Sequence, residues 1–358
     1  MPRVLILSPH TPWAIGGVEK VVKETATRLA KDEDIYVEIW CKGGENRVTE
    51  WEGIPVKIFR TLPFGLSPFL IRELKKAQEK FDVIHIHGTS SLYPLEALLV
   101  VNNWKKIIVS PHYHPWGSNI LFKLTKPLYD ILVVSKYLRQ ASKIICVSRT
   151  EKNLVLDKFK LLRDKVRVIY NGVPIDKIRA FKSKRIPNQN KVSILYFGRL
   201  EKYKNVHVLI ESLKYLPDTF VLYIVGRGPY EKELQKLTRK LGLEKSVKFL
   251  GFLPEEELYT LLHSIDVVVN LSDIEAFGIM VIESLAAGKP VIVNNKLGLK
   301  ELAGYFTGSI LSIDEPTPKD VAKVIRILST QRKVNVKGLK KFRWERIIKV
   351  YLMYSRGV

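Results

Sequence analysis

Cysteine, acid and long apolar runs are what this sequence has little of. Its 358 residues include two cysteines, Cys41 and Cys146, each in or beside an apolar strand-like run (IYVEIWC, KIICVS). So few exclude a disulfide framework or a cysteine metal cluster and read as buried thiols. No apolar run approaches the ~18–20 residues that span a bilayer. The opening MPRVLILSPH is too short an apolar stretch for a signal peptide and reads as a first buried strand, which predicts a cytoplasmic protein, soluble or peripheral. Acid is scarce as well: 36 Asp and Glu stand against 59 Lys and Arg, a net charge of +23. Such a surplus attracts polyanions, whether nucleic acid, anionic lipid or phosphorylated substrates.

What is present is ample apolar residue, 46% of the chain, which excludes disorder. The length suggests about two domains. Nearly continuous apolar strands alternate with helices, the signature of parallel sheets covered on both faces. The expected fold class is α/β, with a first domain over residues 1–172, a linker over 173–190 and a second domain over 191–341. The linker shows no clear strand and carries two prolines and a basic cluster, KIRAFKSKR. KLGLKELAG, near residue 300, reads as a short Gly-rich loop. The last helix, 342–358, carries Trp344, Ile347, Ile348, Tyr351 and Leu352 at helical spacing. Two Rossmann-like domains facing across a cleft would bind ligand at the carboxyl ends of their strands.

The segment 264–294, SIDVVVNLSDIEAFGIMVIESLAAGKPVIVNN, reads as strand, polar turn, helix over about 277–287, and strand. Glu275 and Glu283 bracket that helix. Eight helical residues span roughly 12 Å, and eight steps return within roughly 80° of the start, so both acids can line one edge of a ligand the length of a nucleotide sugar. Alone, the pair is also what any amphipathic helix with two surface acids shows. Arg199 and Lys204 lie in GRLEKYKN after an apolar strand, where a guanidinium fork and an ammonium could neutralise a diphosphate from two sides. Gly16-Gly17 precedes a helix and would let backbone approach a phosphate, although the full G-x-G-x-x-G pattern is absent. His112 follows the strand KIIVS, and His85 and His87 share a face of an earlier strand. With His114 they could be drawn as a metal site. No acidic partner lies nearby in sequence, and a neutral ligand-binding His or plain core packing fits them better. The apolar, basic stretch 119–140 reads as one helix, suited either to an anionic membrane surface or to a core with a solvated lysine face.

Taken in order, GGVEK, DVIHIHG, SPHYH, VIYNGV, YFGRLEKYKN, IVGRGP, VKFLGFLP and SDIEAFGIMVIESLAAGKPVI resemble the retaining GT-B glycosyltransferases of family 4, the glycosyl transferases group 1 type, over nearly the whole chain. The resemblance implies two Rossmann-like domains, the last helix crossing back onto the first, and a nucleoside-diphosphate sugar donor held mostly by the second. It assigns Arg199 and Lys204 to the donor diphosphate and Glu275 to sugar hydroxyls, supported by the backbone of Ala276, Phe277 and Gly278. Glu283 would take the ribose hydroxyls, Gly16 and Gly17 would touch the phosphate, and His112 would sit beside the transferred sugar. No cofactor and no divalent metal are expected, since Arg and Lys neutralise the leaving group. The acceptor would be a sugar, a lipid-linked glycan or a small molecule. A sugar-nucleotide epimerase or phosphorylase of the same fold would fit the same residues. A nucleic-acid binder would fit the charge, but no recognisable basic helix or RNP-like aromatic motif supports it.

Overall fold

The structure, a computed structural model, describes all residues except 15, 90, 115–119, 162, 183–190, 331–333 and 356–358. The end of the expected linker, the start of the 119–140 stretch and the last residues of the terminal helix lie outside the described residues. Internal contacts divide the chain into two units. One is Met1–Gly172 with Trp344–Val358, the other Val173–Arg343.

The first unit is built on an eight-stranded sheet. Its strands are β1 (Arg3–Ser8), β2 (Tyr36–Gly43), β3 (Arg47–Trp51), β4 (Ile54–Arg60), β5 (Val83–His87), β6 (Ile107–Ser110), β7 (Lys143–Cys146) and β8 (Val166–Val168), in the order β3-β4-β2-β1-β5-β6-β7-β8. All pairs are parallel except β3 with β4. Alternate residues of β1 point to opposite faces, so Leu5 and Leu7 enter one core and Val4 and Ile6 the other. The second of these cores lies under α1 (Gly17–Leu29) and the terminal helix Trp344–Ser355, which contributes Trp344, Ile347 and Tyr351. Helices α2 (Pro68–Lys80) and α3 (Tyr93–Val100) cover the first core.

The stretch read as one helix over 119–140 runs as α4 (Ile120–Tyr129), a π turn at Asp130–Val134 and α5 (Ser135–Gln140) with no break between them. Pro127 lies inside α4, where its ring removes one backbone donor, and the widened turn follows directly. Helix α6 (Arg149–Phe159) starts at Ser148, whose hydroxyl accepts from the Glu151 N–H.

In the second unit six parallel strands, β9 (Val192–Phe197), β10 (Phe220–Val225), β11 (Val247–Gly251), β12 (Val267–Asn270), β13 (Val291–Asn294) and β14 (Ile310–Ile313), take the order β11-β10-β9-β12-β13-β14. The expected linker, read as having no clear strand, opens with a helix, α7 (Ile175–Ala180), which buries Ile175 and Ile178. His263 contacts the Ile178 carbonyl at 2.8 Å. Further on come α8 (Val206–Ser212), α9 (Glu231–Lys240), α10 (Glu255–Ser264), α11 (Ile279–Ala286), α12 (Leu297–Tyr305) and α13 (Pro318–Ser329). KLGLKELAG is therefore helical. Gly298 packs against the carbonyl of Ala276, where a Cβ would come within 2.4 Å, while Gly304 meets open space. No described helix is long and apolar enough to cross a membrane.

Candidate functional site in the second unit

Strand order reverses between β9 and β12, so the loops after these two strands flank a switch point, the usual ligand position of an open α/β sheet. The β9 loop carries Arg199 and Lys204; the β12 loop carries Asp273 and Glu275. The two loops are tied together. Lys204 Nζ lies 2.7 Å from Glu275 Oε2, and the Asp273 N–H donates to the Tyr203 carbonyl at 2.9 Å. Asn205, in the left-handed conformation at φ 55°, donates its amide to Asp273 and to the Leu271 carbonyl. Burial alone would depress the Lys204 ammonium, but the charge of Glu275, with Tyr203 and Glu201 behind it, raises it instead. Lys204 is therefore a fixed cation. An ammonium has three N–H donors, and the Glu275 bond uses one.

Arg199, the other cation of the expected clamp, lies on the same loop. Its side chain is about half exposed and its Nε bonds Glu201 Oε1 at 3.0 Å. Asp273 gathers a second cluster: Lys296 Nζ at 3.0 Å and the Asn294 amide at 3.0 Å both reach Oδ1, and Lys296 also pairs with Glu315. Lys296 and Asn294 were missed in the sequence. Their place at the carboxyl end of β13, beside the switch point, is the signal that could have found them.

Glu275 and Glu283 do not bracket a helix. Gly278, at φ 95°, is the cap of α11, so Glu275 stands in the preceding loop and Glu283 in the second turn of a shorter helix. A side chain at 278 would meet Leu299 Cδ2 at 2.9 Å as well as the left-handed backbone, which is why the helix starts late. The loop of Ala276 and Phe277 leans on α12, with the Gly298 N–H donating to the Glu275 carbonyl. Phe277 is buried against Phe342, ring centroids 5.5 Å apart. Glu283 is only 3% exposed, and its Oε1 accepts from the Tyr259 hydroxyl at 3.1 Å. The same hydroxyl lies 2.9 Å from Glu255. One hydroxyl proton serves one of these carboxylates at a time.

The ends of β9, β10 and β11 are joined by backbone. Gly198 N–H donates to Val225, Leu200 N–H to Arg227, and Gly226 N–H to Gly251. The approach is so close that a Cβ on Gly226 would lie 1.9 Å from the Gly198 carbonyl oxygen. A pocket of about 550 Å³ lined by Asp266, Lys289 and Pro290 opens at the other, amino end of β12 and β13 and takes no part in this arrangement.

In the first unit, Gly16 caps α1 with extended backbone, and the Glu19 carboxylate folds over it, while Gly17 faces open space. His112 follows β6 at φ 45°, a strained position for a residue with a side chain. Glu151 holds the loop there, accepting from the N–H groups of Tyr113 at 2.6 Å and Val147 at 2.7 Å. His112 Nε2 lies 3.0 Å from His87 Nδ1, and His85 Nε2 lies 2.8 Å from Ser110 Oγ. Burial depresses all three imidazoles, His85 to about 3 and His112 to about 4. Burial likewise pushes the Cys41 thiol up to about 12, and both cysteines are free and buried. No group of three or more His, Cys, Asp or Glu is set to hold a metal ion among the described residues.

Comparison with known proteins matches both halves of the chain. The model for Glycosyltransferase Family 4 covers residues 15–177, and that for Glycosyl transferases group 1 covers residues 177–341. A glycosyltransferase of Methanocaldococcus jannaschii, MJ1607, is 28% identical over 341 residues, 87% of this chain and 84% of its own. A glycogen synthase of Mycobacterium tuberculosis is 28% identical over 335 residues, 84% of this chain and 79% of its own. Among solved structures, HepE of Anabaena in complex with UDP and glucose matches with a TM-score of 0.78 at 19% identity, over 100% of both chains. The sucrose-phosphate synthase of Thermosynechococcus elongatus matches with a TM-score of 0.79 at 18% identity, over 99% of this chain and 98% of its own. With two consecutive models accounting for residues 15–341 and solved GT-B enzymes sharing its fold, the chain belongs to the family 4, group 1 type of GT-B glycosyltransferases.

Proposed function

We propose that the chain transfers a hexosyl group from a nucleoside-diphosphate sugar with retention of configuration and without a metal ion. The observation that carries this reading is the Lys204–Glu275 pair at 2.7 Å, which sets a fixed cation beside a fixed hydroxyl acceptor at the switch point. Lys204, with Arg199, neutralises the departing diphosphate, where negative charge grows in the transition state. Glu275 accepts from donor-sugar hydroxyls, backed by the backbone of Ala276, Phe277 and Gly278. Glu283, positioned by Tyr259, accepts from the ribose diol. Gly16 and Gly17 meet the phosphate from the first unit, and His112 meets the sugar. The bond from the sugar carbon to the diphosphate oxygen breaks as the acceptor oxygen bonds the same face of that carbon. The acceptor's proton passes to the leaving phosphate, so no protein nucleophile is required. The HepE complex with UDP and glucose supports a donor of this class.

The acceptor is a sugar, a lipid-linked glycan or a small molecule. The net charge of +23 supports a cytoplasmic enzyme that works in part at the inner face of an anionic membrane. The test is a thermal-shift screen of UDP, GDP, ADP and their sugars, followed by transfer assays. Glu275→Ala is expected to lower transfer by at least about 10²-fold while nucleoside diphosphate still raises the melting temperature. Transfer surviving in Glu275→Ala would overturn the site. Nucleoside diphosphate released without any acceptor would favour another sugar-nucleotide chemistry, such as epimerisation.

A further inference from the structure

The helical stretch from α4 through the π turn to α5 has an inner and an outer face of opposite character. Inward it buries Lys126, Asp130, Val134, Tyr137 and Leu138. Outward it presents Leu124 (74% exposed), Leu128 (61%), Ile131 (69%) and Leu132 (62%). Their spacing of four, three and one places them on one stripe. Large apolar side chains left singly on a surface need no explanation, whereas four on one helix face form a patch that calls for a partner.

The charges identify the partner. Asp130 is the only acid between residues 119 and 140, and it is wholly buried. Lys126 at 2.8 Å, Lys158 at 3.1 Å and the Tyr113 hydroxyl at 2.7 Å close around its carboxylate. The described part of the outer face therefore carries no negative charge. Past the apolar stripe it carries exposed Lys136 and Arg139. From Val101 to Tyr170 the chain has 14 Lys and Arg against 4 Asp and Glu. An apolar stripe rimmed by cations, where no described helix is long and apolar enough to cross a bilayer, is the pattern of an element that lies in an anionic lipid interface. A second copy of this chain would bring two basic rims together, each on a molecule of charge +23, so charge selects lipid over self-association.

We propose that the outer face of residues 124–139 is the membrane-docking surface of this enzyme, with Leu124, Leu128, Ile131 and Leu132 entering the headgroup boundary and Lys136 and Arg139 meeting anionic headgroups. The stretch follows β6 and the loop of His112, so docking would hold that carboxyl edge of the first sheet at the lipid surface. This rests on the proposed function for its purpose, namely access to a lipid-linked acceptor, but the surface is tested without it.

The full chain is sedimented with vesicles of phosphatidylcholine, with and without phosphatidylglycerol, at low and high salt. Binding is expected on the anionic vesicles only and is expected to fall with salt. Leu128→Asp/Ile131→Asp should lower partitioning at least about tenfold. Lys136→Gln/Arg139→Gln should lower it about fivefold per charge at low salt. Leu128→Asp/Ile131→Asp should keep the wild-type melting temperature, Lys136→Gln/Arg139→Gln should melt slightly lower because Arg139 also donates to the Phe159 carbonyl, and both should keep the nucleotide-induced shift. Wild-type protein that ignores anionic vesicles at low salt overturns the proposal, as does binding unchanged in Leu128→Asp/Ile131→Asp. A wild-type dimer that this variant splits, with no lipid binding, would assign the stripe to self-association and overturn it too. Loss of nucleotide binding in every sample, with vesicle binding intact, would instead count against the proposed function alone.

Discussion

His87 lies wholly inside the first unit, with Nδ1 3.0 Å from His112 and Nε2 buried without a hydrogen-bond partner among the described residues. An orphaned buried N–H is a rarer defect than an orphaned acceptor. The proton between the rings therefore belongs to His87: its Nδ1–H donates to His112 Nε2, and His112 keeps its own proton on Nδ1. Protonating any of the three histidines would put charge into this closed cluster. All three have pKa values depressed below 6.5 in the fold, His85 to about 3 and His112 to about 4. The unfolded chain therefore takes up protons first. The stability held by these neutral rings is complete above about pH 6.5 and is lost as pH falls toward those folded values, by about 1.4 kcal/mol per pH unit for each ring. Urea unfolding at several pH values between about 6.5 and 4.5 should show this slope, and His87→Leu should remove about one third of it. The sequence shows that His85 and His87 share a strand face, and their rings are 4.2 Å apart. The bond to His112 joins residues 25 positions apart, one on β5 and one in the loop after the neighbouring β6, and no local pattern records it.

Among the elements, the buried parallel strands were the most legible, because a strand covered on both faces must be apolar throughout. β3 was not. RVTEW is largely exposed and pairs antiparallel at the sheet edge, so burial never shaped its composition. α7 hides behind Pro174 and a run of cations, and α12 behind two glycines, of which Gly298 is set by tertiary contact with Ala276. The π turn follows Pro127 and begins at Asp130, the buried partner of Lys126, and no local pattern marks it. In the candidate site, the identities of Lys204 and Glu275 could be read, but the late start of α11 and the Arg199–Glu201 pair could not. The loops after β9, β10 and β11 act as one piece because glycine lets their backbones touch. Gly226→Ala, at φ 130° and 1.9 Å from a carbonyl oxygen, should destabilise the second unit by about 2–4 kcal/mol. Gly242→Ala, at φ 67° with open space around it, should show only the backbone strain of about 1 kcal/mol. Melting curves of the two variants separate crowding from conformation.

For the whole molecule, the division into units is not a division of the chain into halves. The chain leaves the first unit after Gly172 and returns to it at Trp344. The Trp344 ring lies against Gly172, where a Cβ would come within 2.1 Å of it, and the Val173 N–H donates to the Phe342 carbonyl. Removing residues 344–358 should uncover the core around Val4, Ile6 and Val22. Hydrogen exchange should then show protection lost in β1 and α1 but kept in β9, β10 and β12; equal protection in both units would contradict this.

That arrangement also sets an order of events on the ribosome. The first unit begins to emerge before the second but lacks Trp344, Ile347 and Tyr351 until residues 344–355 are made, whereas the second unit is one uninterrupted segment. Synthesis from the N-terminus usually lets the leading domain fold ahead of the next. Here the later-made unit is complete while the earlier one still waits with part of its core exposed. A nascent chain stalled beyond Arg343 would show a finished second unit and an unfinished first.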